Sequence, residues 1–432
     1  MPENLKPLSI GRKMMDTSNW DWEKGVKVIS KINDCDAETE WLTEPYASPD
    51  GEKVAVLAKT EEGFDVCVNA KAWGQTFDNA WYPRFSPDGR LTCVASTDME
   101  WTLAVDGEPW PETYGYIWNT MFSEKGDVIA AAIQQDGTYG MAINGEQVGE
   151  LYETASEFNL SADGKRTAAV VQVQSMDAAD IFTFQQGCYS VAVDGQAWDI
   201  KVVNAWTPTF SPDGSRVAAQ MRSSLYDYTI IVDGTPWSKN FAMVWDPCFN
   251  PKTGTVVAPV RMAGKWGMAE NEQVIWDPVY FQLWEQKFSP DGNNLYAICA
   301  PQYGRWTVVH NNNTWNVLVN TMLTDLTLSP DGQRAAAAAK EKDKWTIMAD
   351  DALWPQWYDM VWTPVFSPDS KHIAAKVEKP GKRRTIAIDG KHYKEDFTHC
   401  WEPVFSPDSR MVLIRAVQGG KFKRIVAKVN EF

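Results

Sequence analysis

The chain has 432 residues, of which 44% are hydrophobic and 23% charged, and its formal net charge is −16. A charge of that sign repels nucleic acid and anionic lipid surfaces, so we expect neither as a partner. No stretch approaches 18 uninterrupted apolar residues, and no apolar segment of the kind found in signal peptides follows Lys6, Arg12 and Lys13. We therefore expect a cytoplasmic protein with no membrane span of its own.

Residues that usually carry chemistry are sparse. The seven cysteines include no Cys-x-x-Cys pair, so we expect reduced thiols rather than a disulfide framework, a zinc site or attached haem. The four histidines form no His-Glu-x-x-His motif, and the motifs of hydrolases and nucleotide-binding loops are missing. We expect no metal, no cofactor and no catalytic residue. The alternative is a hydrolase or lyase whose carboxylates meet only in the folded chain, around a central channel.

The first predicted element is a tail, residues 1–22, that precedes the repeats. It contains apolar side chains with no strand beside them to cover them, among them Ile10, Met14 and Met15. These three are candidate partner-docking residues, and the alternative is a disordered tail.

Residues 23–432 consist of repeats of one unit. A turn resembling Ser-Pro-Asp-Gly recurs ten times at intervals of 37 to 40 residues, except for one interval of 50 that follows Ser161. The ten turns begin at Ser48, Ser86, Ser123, Ser161, Ser211, Asn250, Ser289, Ser329, Ser367 and Ser406. A regular period of this length is typical of repeat architectures.

Each unit reads as four short antiparallel strands. In the fifth unit, apolar runs flank the turn at residues 211–214, and two more flank the Asp-Gly pair at residues 233–234. Pro and Gly favour a tight first turn, and Asp-Gly favours a type I′ hairpin. One four-stranded sheet cannot bury both faces, but sheets stacked around an axis can. The sequence therefore predicts an all-β protein, a β-propeller of ten four-stranded blades.

Ten blades exceed the usual four to eight, so one ring and two rings of five blades both remain open. No linker rich in Pro, Gly or Ser divides the chain near its middle, which favours one ring. After the tenth turn only two apolar runs remain, at residues 411–418 and 422–429. We expect residues 32–41 to supply the outer strand of the last blade and close the ring.

The long interval contains about 11 extra residues, located between the second and third strands of the fourth unit, within residues 172–187. Because loops carry function more often than the strands beneath them, Ile181, Phe182 and Phe184 are candidate partner-docking residues. The alternative is a loop that folds over the rim and buries its own aromatic side chains.

Most of the 22 tryptophans recur at three positions of the repeat. The first set lies five positions before a turn, and comprises Trp81, Trp118, Trp206, Trp245, Trp284, Trp362 and Trp401. A second set follows the Asp-Gly hairpin, and comprises Trp73, Trp110, Trp198, Trp237, Trp315 and Trp354. A third opens the strand before that hairpin, and comprises Trp101, Trp266, Trp306 and Trp345. We expect these rings to fill the gaps between blades. A set that faced solvent would instead form a contact surface.

Charge is distributed unevenly along the chain. From Lys340 onward there are 17 Lys and Arg against 13 Asp and Glu, a net charge of +4, which leaves 24 minus 44, or −20, for residues 1–339. In a ring this gradient gives one acidic arc and one mildly basic arc, which a partner can recognise. The alternative is that the charges of solvent-exposed loops vary along the chain without any role in binding.

The Phe-Ser-Pro-Asp-Gly and Val-Asp-Gly-x-x-Trp patterns, as at residues 210–214 and 232–237, resemble the WD40-like, TolB-like propeller repeats of bacteria over almost the whole chain. The tryptophan content and length are further similar to the tryptophan-rich subunits of transmembrane electron-transport complexes in sulfate-reducing bacteria. That similarity implies a non-catalytic scaffold subunit without a cofactor, bound to iron–sulfur and cytochrome b subunits and peripheral to the inner membrane.

Overall fold

The computed structural model describes residues 15–176 and 180–432, and in it the chain forms ten antiparallel sheets that follow one another along the sequence. The predicted all-β propeller of ten four-stranded blades is confirmed. We number the sheets blades 1 to 10 in chain order, and the strands of each blade from first to fourth.

Blades 1 to 5 differ mainly in the length of their fourth strand. From first to fourth strand, blade 1 contains Trp41–Leu42 with Tyr46–Ala47, Val54–Lys59, Phe64–Val68 and Lys71–Ala72; blade 2 contains Asn79–Phe85, Leu91–Thr97, Glu100–Val105 and Glu108–Pro109; blade 3 contains Tyr116–Phe122, Ile129–Gln135, Thr138–Ile143 and Glu146–Tyr152; blade 4 contains Ala155–Leu160, Thr167–Gln172, Tyr189–Val193 and Gln196–Ala197; blade 5 contains Asn204–Phe210, Val217–Arg222, Tyr228–Val232 and Thr235–Pro236. A helix, α1, at Ile181–Gln186 interrupts blade 4.

Blades 6 to 10 follow the same order. Blade 6 contains Met243–Val244 with Cys248–Phe249, Val256–Met262, Lys265–Glu270 and Gln273–Tyr280; blade 7 contains Gln282–Phe288, Leu295–Gln302, Arg305–His310 and Asn313–Thr314; blade 8 contains Met322–Leu328, Ala335–Glu341, Lys344–Ala349 and Ala352–Leu353; blade 9 contains Met360–Val361 with Val365–Phe366, Ile373–Lys379, Arg383–Ile388 and Lys391–His392; blade 10 contains His399–Cys400 with Val404–Phe405, Met411–Gln418, Lys421–Lys428 and, from the start of the chain, Gly25–Lys31. A 3-10 turn, Val429–Glu431, follows.

The two turns of each unit depend on local hydrogen bonds that explain their sequences. In blade 5, the Ser211 hydroxyl donates to Asp213 and accepts from the Arg216 amide at 3.0 Å, which holds the first turn closed. In the second turn, Asp233 and Gly234 both have positive φ, as a type I′ hairpin requires. The Asp233 carboxylate also accepts from the Val217 amide at 2.8 Å, which ties the two turns together.

An apolar cluster fills every interface between neighbouring blades. One such cluster joins blades 5 and 6, where two rings of five blades would have divided the chain, through Ile230, Phe241 and Val260. Another joins blade 10 to blade 1 through Val54, Val417 and Phe422, so the ring is closed. The structure is therefore a single ring of ten blades, because a division into two rings would leave these faces exposed to water.

The strand that completes blade 10 was wrongly predicted. It is Gly25–Lys31, which pairs antiparallel with Lys421–Lys428, whereas residues 32–40 leave blade 10 and cross to blade 1. Backbone contacts hold this crossing in place, since the Asp36 amide donates to Ala70 at 3.0 Å and the Asp36 carboxylate accepts from Ala72 at 2.7 Å. Polar residues with short side chains suit such a crossing better than a strand.

The expectation that all the cysteines are reduced is also corrected. Cys35 and Cys67 form a disulfide that fastens the crossing segment to the third strand of blade 1. The two are 32 residues apart in sequence and meet because the crossing segment is fastened to blade 1, where Asp36 bonds to Ala70 and Ala72. The other five cysteines are free thiols, four of them buried.

Two buried arginines of blade 10 bind backbone oxygens at the closing interface. Arg415 donates to Ser48 at 3.0 Å and to Glu402 at 2.7 Å. Arg424 donates to the backbone oxygens of Asp50 and Asp21, and it also lies 3.1 Å from the Glu52 carboxylate. This interface thus combines an apolar cluster with hydrogen bonds to the first turn of blade 1.

Candidate interaction surface

The antiparallel order of strands gives the ring two different faces. Turns between first and second strands and between third and fourth strands lie on one face, which we call the turn rim. Hairpins between second and third strands, together with the segments that lead into the next blade, lie on the other face, which we call the hairpin rim. First strands of successive blades contact one another and surround the central channel.

Exposed apolar side chains concentrate on the hairpin rim. Among the described residues, eleven of seventeen exposed large hydrophobic side chains lie there, and none lies on the turn rim. The eleven are Trp41, Met99, Tyr116, Ile181, Phe182, Leu225, Tyr226, Phe281, Tyr303, Met322 and Trp357. The turn rim instead carries ion pairs such as Arg216 with Asp233 and Arg334 with Asp350. Such an asymmetry is typical of a surface that another macromolecule covers.

The insertion of blade 4 places two of its three candidate docking residues in solvent. The Asp180 carboxylate accepts from the Thr183 amide at 3.0 Å and caps α1 at its start. Ile181 is 58% exposed and Phe182 is 76% exposed, whereas Phe184 is half-buried. The loop therefore projects with two apolar side chains outward and keeps one aromatic ring against the blade.

The tail candidates do not join that surface. Met15 is exposed, whereas Ile10 and Met14 lie outside the described residues. The residues after Met15 lie against blade 10, because the Asp21 carbonyl accepts from Arg424 and the Trp22 ring nitrogen donates to Thr17 at 3.0 Å. Met15 and α1 therefore belong to different blades.

Three of the most exposed side chains on the hairpin rim were not predicted from the sequence. Met99, Tyr226 and Tyr303 occupy hairpin tips of blades 2, 5 and 7 and are 82% to 89% exposed. The Tyr303 ring meets the Phe281 ring edge-on, with centroids 6.1 Å apart. These hairpins differ in length, so the residues share no fixed offset from the turn, and only an alignment of the hairpin tips would have shown them.

The tryptophans pack between blades, as expected, and none of the three sets forms an exposed column. Rings of the first set lie against rings of the third set within a blade: Trp81 and Trp101 are tilted with centroids 4.5 Å apart, and Trp245 and Trp266 are stacked with centroids 5.2 Å apart. All members of the three sets are buried or half-buried. Their role is thus to fill the space between blades, where large aromatic rings bury most area.

A further column of polar residues was missed, although it has a constant offset of four residues before each turn. Its members, on the first strands, are Glu44, Tyr82, Asn119, Glu157, Thr207, Asp246, Glu285, Asp325, Thr363 and Glu402. Several connect one blade to the next. Glu285 accepts from the Leu326 amide at 2.9 Å, and Asp325 accepts from the Thr363 hydroxyl at 3.0 Å. These carboxylates therefore hold first strands together around the channel.

Among these carboxylates, Asp246 connects to both neighbouring blades. It accepts a hydrogen bond from the Gln220 side chain of blade 5, while its own backbone oxygen accepts from Gln286 of blade 7. Burial raises the pKa of the Asp246 carboxyl above its usual value, and bonds from Thr207 and Gln220 offset part of that effect. Asp246 thus links three consecutive blades, but its burial destabilises the charged form of the carboxylate.

We predict that Asp246→Asn increases stability at neutral pH. Because the pKa of Asp246 is raised in the folded state, that state binds the proton more tightly than the unfolded state. The stability this group contributes is therefore lost as pH rises through its folded pKa. The asparagine side chain carries no charge, so the variant should exceed the wild type in free energy of unfolding at pH 7, with the gain vanishing below about pH 4. Urea unfolding across this pH range measures it.

The matched control is Asp213→Asn, which should shift stability in the opposite direction. The Ser211 hydroxyl and the Ser215 amide lower the pKa of Asp213, so that variant should lose stability at pH 7 and approach the wild type on acidification. A stability difference for Asp246→Asn that stays constant with pH would contradict the proposed cause.

One group of residues has the spacing of metal ligands in the described part of the chain. Within residues 15–176 and 180–432, only Cys35, Asp36 and Cys67 place three ligand atoms within reach of one ion. Both sulfurs of this group are joined in the disulfide, which removes the thiolates that a metal would need. The same described residues contain no helix that is long and apolar enough to cross a membrane.

Comparison with family models and with curated proteins finds no match. Among solved structures, one titled "Crystal structure of the eukaryotic initiation factor" is similar, with a TM-score of 0.46 and 12% sequence identity. The similarity covers 87% of this chain and 97% of that one. A likeness at this level bears on neither the function nor the partners of this chain.

Proposed function

We propose that this chain is a non-catalytic protein-interaction subunit whose contact surface is the hairpin rim. The proposal rests on one observation: the hairpin rim exposes large apolar side chains, and the turn rim exposes none among the described residues. Large rigid aromatic side chains contribute more binding energy per residue than other types, and this rim exposes Phe182, Tyr226 and Tyr303. The opposite face offers ion pairs and tight turns instead.

The non-catalytic role is supported by how the channel carboxylates are used. A catalytic acid or base needs access to a substrate, but Asp246, Glu285 and Asp325 bond to neighbouring blades. Their positions repeat from blade to blade at one offset, which favours a structural role. The alternative is an enzyme with a site in the channel. Its test is an assay for hydrolysis or elimination of small-molecule substrates, and an activity that Glu157→Gln or Glu402→Gln abolishes would support it.

The finer part of the proposal is membership of a membrane-bound electron-transport complex. It rests on the resemblance in tryptophan content and length to the tryptophan-rich subunits of such complexes. In that role the chain holds no cofactor and associates with iron–sulfur and cytochrome b subunits in the cytoplasm, at the inner membrane.

The experiment is affinity purification of the tagged protein from its own cells, with mass spectrometry and a visible spectrum of the eluate. A second copy with a different tag is co-expressed, so that self-association is also detected. The rim variant Phe182→Ser with Tyr226→Ser is compared with a control, Val28→Ser with Val279→Ser, which alters exposed apolar side chains on outer strands.

We expect the wild type and the control to recover partner chains, and the rim variant to lose them. Haem and iron–sulfur absorbance with the corresponding subunits would support the electron-transport role, and a colourless eluate would overturn it. Recovery of the same chains by the rim variant would overturn the hairpin rim as the contact surface.

A further inference from the structure

We propose that the hairpin rim binds a second copy of this chain, in a two-fold symmetric dimer that sets blade 1 against blade 10, 2 against 9, 3 against 8, 4 against 7 and 5 against 6. This inference rests on the proposed function, because it names the occupant of the same surface. It is carried by the order of charges around the hairpin tips.

The hairpin tips of blades 1 to 3 form an acidic arc. Blade 1 exposes Glu61 and Glu62, blade 2 exposes Asp98 and Glu100, and blade 3 exposes Asp136. Within the described part of the chain, none of these five carboxylates belongs to an ion pair. They are acidic groups that lack basic partners within their own copy.

The tips of blades 9 and 10 form a basic arc, in which blade 9 exposes Lys382 and Arg383 and blade 10 exposes Lys421. At the tip of blade 8, Lys342 lies beside the exposed Asp343, and residues 341–344 carry no net charge. Arg383 is paired with Asp396 at 3.0 Å, whereas no ion pair within residues 15–176 and 180–432 involves the three lysines. The charge gradient along the sequence thus becomes two separate arcs on one face of the ring.

Symmetry then selects the partner. A two-fold axis that lies in the plane between two facing rings reverses the order of the blades, so each blade meets one counterpart. If the axis passes between blades 10 and 1 and between blades 5 and 6, acidic blades 1 and 2 meet basic blades 10 and 9, and blade 3 meets blade 8. A shift by one blade in either direction sets one charged arc partly against itself. Charge complementarity therefore favours one dimer geometry over its neighbours.

The same geometry brings the exposed apolar residues together. Ile181 and Phe182 of blade 4 meet Tyr303 of blade 7, and Tyr226 of blade 5 meets the Ala263 hairpin of blade 6. Both contacts occur twice in the dimer because the interface is isologous. The contact thus combines apolar pairs on blades 4 to 7 with charged arcs on the opposite side of the ring, where Trp41, Met99, Tyr116, Met322 and Trp357 are also exposed.

Long-range repulsion between two copies of charge −16 is screened at physiological salt, where the Debye length is about 8 Å. The paired hairpin tips are closer together than that, so local complementarity determines the contact. We therefore expect a dimer at tens of micromolar protein that weakens as salt is raised.

The test uses two charge-exchanged variants of the full chain. The acidic-arc variant is Glu61→Lys, Glu62→Lys and Glu100→Lys, and the basic-arc variant is Lys342→Glu, Lys382→Glu and Lys421→Glu. Each alone sets like charges against each other at both halves of the interface, so we expect the dimer dissociation constant to rise at least about 100-fold. Sedimentation velocity measures it, and circular dichroism with thermal unfolding verifies that each variant is folded.

Mixing the two variants is the decisive measurement. In a mixed dimer, the exchanged arcs attract each other at one half of the interface and the native arcs attract at the other, so a one-to-one heterodimer should form from two monomeric variants. A wild type that stays monomeric, or a mixture that stays monomeric, overturns the inference.

These outcomes are separable from those of the proposed function. A monomeric wild type that still recovers other chains through the hairpin rim contradicts the dimer alone, with a hetero-partner as the occupant. A wild type that recovers neither the second tagged copy nor any other chain contradicts both proposals.

Discussion

Arg424→Met is expected to lower the free energy of unfolding by on the order of 3 kcal/mol. The Arg424 side chain is 3% exposed and donates to the backbone oxygens of Asp50 and Asp21, beside the Glu52 carboxylate. Methionine fills a similar volume but donates no hydrogen bond, so two acceptors and a carboxylate lose their partner at the interface that closes the ring. Because Glu52 is partly exposed, its loss contributes less than that of a fully buried pair.

The matched control is Arg410→Met, in the same blade. The Arg410 side chain is 84% exposed and lies 3.9 Å from Asp408, so its replacement should change stability by less than about 0.5 kcal/mol. Urea unfolding of both variants measures the difference. If both variants lost the same unfolding free energy, the buried contacts of Arg424 would add nothing beyond those of an exposed arginine. That result would contradict the role assigned to Arg424.

The repeat was sufficient to predict the fold because its turns contain the strongest local signals in the sequence. Ser211, Asp213 and Gly214 each supply a specific hydrogen bond or a positive φ, so the same residues recur wherever the same turn does. The closing strand was mislocated because fourth strands give almost no signal. In seven blades that strand has only two residues, so the spacing from the first turn could not distinguish Gly25–Lys31 from the residues after it.

The disulfide illustrates a different limit of sequence reasoning. Cys35 precedes the first repeat and Cys67 lies in a third strand, and nothing in their spacing indicates that the crossing segment brings them together. The odd number of cysteines argued against a framework but could not exclude a single bridge. Only the tertiary path of residues 32–40 determines that pairing.

The candidate surface was predictable in part. The insertion around Phe182 breaks the period and was predicted, because an extra segment in a regular repeat marks a loop. Met99 and Tyr303 could not be predicted, because a single exposed apolar residue is unremarkable and only its position in the ring gives it meaning. The acidic and basic arcs were anticipated as a gradient along the chain, but their opposition required the order of the blades.

The tryptophans link the repeat to the stability of the ring. Gaps between radially arranged sheets widen from the channel outward, so a ring of many blades needs large side chains in those gaps. Trp81, Trp245 and Trp284 meet this need by packing against a ring from the third strand of the same blade. The same residue type is rare on the exposed hairpin rim, where only Trp41 and Trp357 occur among the described residues.

Trp266→Ala should accordingly cost about 3–5 kcal/mol of unfolding free energy, as measured by urea unfolding. Trp266 is 2% exposed, stacks on Trp245 with planes 7° apart, and packs in the cluster that joins blade 6 to Leu283 of blade 7. Trp357→Ala removes the same side chain from a site that is 40% exposed on the hairpin rim, so it should cost less than about 1 kcal/mol. If both variants lost the same amount, tryptophan would stabilise the ring independently of its burial, and the assignment of the columns to the gaps between blades would be wrong. The expected inequality follows from position alone, because the two substitutions delete identical atoms.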